Sequence, residues 1–158
     1  MLDLLESPTV EAFAKKDEQE QMKILNRLLI HEESIEIFSF DSVDVKEAFE
    51  AVRAMLLLRD NLGDSKIEQQ LLQKARHIFY EENEFVFVSY EIFRFLDDVL
   101  GEWTHAAPVE TLVRNVVIVV QSEWSGWMEG DLQQALRFTN PAHLEVVIAA
   151  QGTLDGQG

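Results

Sequence analysis

Apolar residues recur at three- and four-residue spacing along most of this chain, and that period predicts helices. A short helix is expected over residues 4–16, with Ser7 as its cap and Pro8 in its first turn. A second starts near Asp17, which has the spacing of a capping box with Glu20. Its apolar face is Met22, Leu25, Leu28 and Leu29, with Ile24 beside it. Residues 34–40 alternate apolar and polar, as a short strand or an extended link would. With no partner strand in view, the link is preferred.

A third helix is expected over residues 41–61, with Val45, Ala48, Val52, Met55 and Leu56 on one face and Gly63 just beyond its end. Ser65 and Glu68 then open a fourth, running to about Glu82. Its stripe is Ile67, Leu71, Leu72, Ala75, Ile78 and Phe79. Residues 84–103 are the most apolar segment. Phe85, Val88, Ile92, Phe95, Leu96, Val99 and Trp103 follow helical spacing there, which predicts a central fifth helix. Pro108 suits the start of a sixth, extending to about Trp124. The run Val116, Val117, Ile118, Val119, Val120 inside it has strand propensity, but the Pro start and the length favour a helix. After a loop over residues 125–130, two short helices are expected, over 131–138 and 141–151, the latter capped by Asn140.

The expected fold is therefore all-α: about six to eight helices packed as antiparallel hairpins in a single domain over residues 1–151. A short HEAT-like stack is the alternative. Residues 152–158 hold three glycines in seven and are expected to form a frayed tail.

Charge changes the functional picture. The chain carries 29 acids against 13 bases, a net charge of −16. Residues 81–158 hold 13 of those acids and only three bases, Arg94, Arg114 and Arg137. A field of this sign repels nucleic acid and anionic lipid and draws cationic partners inward, so direct binding to DNA or RNA is not expected. Cysteine is absent, which excludes disulfides, thiol catalysis and cysteine-ligated zinc. The start of the chain is acidic rather than basic, unlike a secretory leader. Residues 85–100 are interrupted by Glu91, Arg94, Asp97 and Asp98, so no membrane span is expected there. These features together predict a cytoplasmic protein.

Motifs for catalysis are missing. The seven glycines never combine into a phosphate-binding loop, and no GxSxG elbow occurs. Residues 60–68 lack the alternating ligands of a calcium loop. His77 and Glu81 are four apart on one helix face, but no HExxH or paired Glu-x-x-His completes a metal set. No enzyme activity, metal or cofactor is expected.

Tryptophan offers a positive signal, because all three fall between residues 103 and 127. Trp103 belongs to the core stripe. Trp124 and Trp127 flank Ser125-Gly126, with Glu123, Glu129 and Asp131 around them, and read as an apolar anchor within an acidic rim. Asp97, Asp98 and Glu102 gather near the end of the fifth helix, where negative charge opposes the helix dipole. These eight residues form the expected partner-binding surface.

In size, acidity, lack of cysteine and lack of a catalytic motif, the chain resembles the acidic helical immunity proteins that protect bacteria from toxic nucleases. That resemblance implies an inhibitor that covers the cationic surface of a basic toxin. A helical scaffolding or adaptor module, and a nucleic-acid mimic binding a DNA- or RNA-binding protein, are the alternatives.

Overall fold

A computed structural model describes residues 12–13, 16–37, 50–62, 65–96, 109–121 and 128–149. Among them the fold is α/β, not all-α. Four strands form one sheet in the order β1-β2-β3-β4: β1 (Ile35–Ile37), β2 (Glu84–Val88), β3 (Asn115–Gln121) and β4 (His143–Ala149). Every neighbouring pair is parallel.

Helices fill the connections. α1 (Glu18–Leu29) precedes β1, while α2 (Glu50–Asn61) and α3 (Lys66–Glu82) link β1 to β2. A 3-10 turn (Ser89–Glu91), α4 (Ile92–Leu96) and α5 (Val109–Leu112) lie between β2 and β3, and α6 (Met128–Ala135) lies between β3 and β4.

The three strands missed by the helical period share one physical cause. Strands of a parallel sheet read as near-continuous runs of apolar residues rather than as a clean alternation. Any periodicity can be laid over such a run. Val116 to Val120 are all β-branched, which restricts the side chain in a helix and suits a pleated surface. Residues 84–96 of the expected fifth helix are instead β2, the 3-10 turn and α4 in succession, and 97–103 lie outside the described residues. The expected sixth contains α5 and β3, and the last is β4. Residues 35–37, assigned to a link, pair with Phe85, Val86 and Phe87.

Local start signals fared better. Asp17 accepts a hydrogen bond from the Glu20 amide at 2.8 Å, capping α1. Ser65 and Glu68 form the reciprocal capping box of α3, at 3.2 and 3.3 Å. α6 begins at Met128, three residues before the position expected for it.

Registered partners in a parallel sheet share a face. Ile35, Phe85, Phe87, Val116, Ile118 and Val120 line one face, and all are at most 1% exposed. On the other, Val86, Val117 and Val119 are half-buried and Val88 is buried. Over the first face, Phe79, Tyr80, Phe85, Phe87, Phe95 and Phe138 pack ring on ring, with centroids 5.0–6.4 Å apart. Leu25, Leu29, Met55, Leu72, Ala75 and Ile92 complete the core.

One amide ties the helical layer to the sheet. Asn83, fully buried, sits between α3 and β2. Its Nδ2 donates to the carbonyls of Leu29 and Phe79, at 2.7 and 2.8 Å, satisfying the last turns of α1 and α3. Its Oδ1 accepts from the His31 amide at 2.7 Å. Next to it, the Ser34 hydroxyl donates to Glu84 Oε1 at 2.6 Å, joining the entries to β1 and β2.

Candidate functional site

The expected partner-binding surface is largely outside the described residues. Asp97, Asp98, Glu102, Glu123, Trp124 and Trp127 all lie there, as does Trp103. Glu129 is exposed on α6, and Asp131 falls on the same helix. The premise behind Asp97, Asp98 and Glu102, one long helix from residue 84, is corrected: that segment opens as strand β2 and a 3-10 turn, and α4 begins only at Ile92.

The metal question can be addressed on the described residues. No group of three or more potential ligands occurs among them. His77 Nδ1 lies 3.3 Å from Glu81 Oε1 with both side chains exposed, which is a surface i,i+4 contact. His143 Nε2 is likewise 3.4 Å from Glu145 Oε2. Among the described residues, no helix is long and apolar enough to cross a membrane.

Sheet topology bears on small-molecule chemistry. Open parallel sheets bind ligands at the carboxyl ends of the strands, where the strand order reverses and connections part to opposite faces. In the order β1-β2-β3-β4 there is no such reversal among the described strands. Right-handed crossovers in such an order set the connecting helices on one face of the sheet. That agrees with the helical core packing on the row of Ile35, Phe85, Phe87, Val116, Ile118 and Val120.

One concave feature of the described surface is a groove between α1 and α3, of about 790 Å³. The outer face of α3 forms one wall, with Ile67, Gln70, Leu71, Lys74, His77, Ile78 and Glu81 at successive helical spacings. Phe13, Gln21 and Met22 form the other. Gln21 holds the approach to α1: its Nε2 donates to the carbonyls of Phe13 and Lys16, at 3.2 and 3.1 Å. Phe13 is thereby kept in the wall.

The floor is apolar. Phe13, Leu71 and Ile78 are 6–7% exposed and Met22 is half-buried, while Ile67 stands at the lip with 59% exposure. The rim is charged. Lys74 Nζ reaches Glu18 Oε1 at 3.0 Å, bridging the two helices, and Lys16 Nζ reaches Glu20 Oε1 at 2.7 Å. Both bridges are solvent-exposed and contribute roughly 0–1 kcal/mol each. Glu81 and the exposed Glu82 stand at the far end.

A sequence signal for the groove existed in the α3 stripe, which runs from Ile67 through Leu71 and Leu72 to Ile78 and Phe79. Leu72, Ala75 and Phe79 face the core, at 3% exposure or less. Ile67, Leu71 and Ile78 face the groove. The stripe is wider than one packing partner covers.

Comparison with known protein families, curated proteins and solved structures returns no match.

Proposed function

We propose that this chain acts by binding rather than by catalysis, and that it takes an amphipathic, cationic helix of another protein into the groove between α1 and α3. The observation that carries the proposal is the groove itself: an apolar floor of Phe13, Met22, Leu71 and Ile78, with Ile67 exposed at its lip and the carboxylates of Glu81 and Glu82 at its far end. Helix-in-groove recognition uses such a floor for the apolar face of the incoming helix. α3 has 17 residues, about 25 Å at 1.5 Å per residue, which matches nearly five turns of a partner, at roughly 5.4 Å each.

The charge of −16 supports a basic partner, because it raises the rate of encounter with cations and disfavours nucleic acid. The lack of cysteine supports a reducing, cytoplasmic setting. The likeness to immunity proteins loses its helical part with the discovery of the parallel sheet. What carries over is the coarser expectation of an acidic protein that covers a basic one.

The test is affinity capture of the native chain from its source, followed by binding kinetics with the recovered protein. A basic partner is expected. Its association should slow as salt rises, and Glu81→Lys with Glu82→Lys should weaken it. A partner of acidic character, or binding indifferent to both salt and these substitutions, overturns the proposal.

A further inference from the structure

The two edges of the sheet are unlike each other. β1 spans three residues, Ile35–Ile37, and a strand that short discourages further pairing. β4 is seven residues long, pairs with β3 along its whole length, and has no outer neighbour among the described residues. All seven of its residues are exposed. Its composition is nonetheless that of an interior strand. Leu144, Val146 and Ile148 continue the buried row of Val116, Ile118 and Val120, yet they are 40%, 46% and 68% exposed where their partners are 0–1%. Val147, on the opposite face, is 39% exposed. Between His143 and Ala149 this edge has no proline or lysine, and its one acid, Glu145, stands on the face opposite the apolar row, in register with Glu36 across the sheet.

We propose that β4 pairs with β4 of a second copy of this chain, antiparallel about Val146, to give a continuous eight-stranded sheet. Two observations favour a second copy as the occupant. The first is register. A two-fold axis through Val146 sets Leu144 opposite Ile148 of the other copy and Val146 opposite itself, so the apolar row runs unbroken across the seam. Glu145 falls opposite Val147 and His143 opposite Ala149, and no two carboxylates stand directly opposed. The second is charge. Two copies of a −16 chain repel, and approach is least opposed where acids are few. Between residues 132 and 149 the sole acid is Glu145, with His143 at 3.4 Å, and Arg137 lies 3.6 Å from Glu110. Each strand spans about 23 Å. A seam of that length is a small interface, so the dimer forms in a concentration-dependent equilibrium.

The test uses the full chain and three variants. Sedimentation equilibrium should show a mass rising with concentration from 18.2 kDa towards twice that value. Val146→Lys places two like charges against each other on the axis and should hold the chain at monomer mass, with unchanged circular dichroism. The chain has no native cysteine, so Val146→Cys supplies a single thiol. Under mild oxidation it should form a disulfide-linked dimer at least tenfold faster than Leu136→Cys, which is 81% exposed but lies off the strand. A monomer at all concentrations overturns the proposal. So does a dimer that survives Val146→Lys, or equal cross-linking of the two cysteine variants.

Discussion

Asn83 accepts the backbone amide of His31 at 2.7 Å, across 52 positions of sequence, and with its other end donates to the carbonyls of Leu29 and Phe79. Two helix ends and the entries to two adjacent strands thus meet at one buried side chain. Asn83→Ala removes a partner from three backbone groups, and at ~1–3 kcal/mol for each of the two buried carbonyls the loss should be roughly 2–6 kcal/mol. Asn83→Asp keeps the acceptor for His31 but turns a carboxylate towards two carbonyls, so it should be worse than alanine. Urea denaturation, read as a shift in midpoint at constant slope, measures both.

Ser65→Ala removes half of the capping box that starts α3. The expected cost is about 1 kcal/mol, seen as a lower thermal midpoint with no change in the folded spectrum. Substituting Asp17 by alanine should cost a similar amount at the start of α1, because its side chain serves the Glu20 amide in the same way.

Ile118→Ala and Val117→Ala remove side chains from opposite faces of the central strand β3. Ile118 is fully buried beneath the aromatic cluster, and its loss should cost roughly 2–5 kcal/mol. Val117 is half-buried and should cost clearly less. On a helix over the same residues this alternation would not appear. Backbone Cα chemical shifts over 115–121 and 143–149 check it independently, and should report extended conformation.

How much of this was legible follows from which interactions are local. The caps of α1 and α3 were readable because Asp17, Ser65 and Glu68 act within four residues. The strands were not. β2, β3 and β4 owe their conformation to each other, and parallel pairing joins positions some 30 residues apart or more. Val116 to Val120 carried the right propensity, and the Pro108 start outweighed it. In the structure α5 ends at Leu112 and β3 begins at Asn115. Asn83 gave no signal at all, since its partners lie in two other segments. The groove was half legible: the α3 stripe was correctly placed, but its excess width had meaning only once α1 was known to cover part of it.

Ile67→Glu tests the lip of the groove without touching the core, because Ile67 is 59% exposed. Stability should stay within about 0.5 kcal/mol. Affinity for the captured cationic partner should fall at least tenfold, about 1.4 kcal/mol, through faster dissociation.

Hydrogen exchange of the chain with and without that partner tests the binding site most directly. The groove predicts slowed exchange over residues 18–29 and 66–82, centred on the face of α3 that carries Ile67, Leu71 and Ile78, with 143–149 unchanged. Protection confined to residues 97–131 or to β4, with α1 and α3 exchanging as in the free chain, would contradict it.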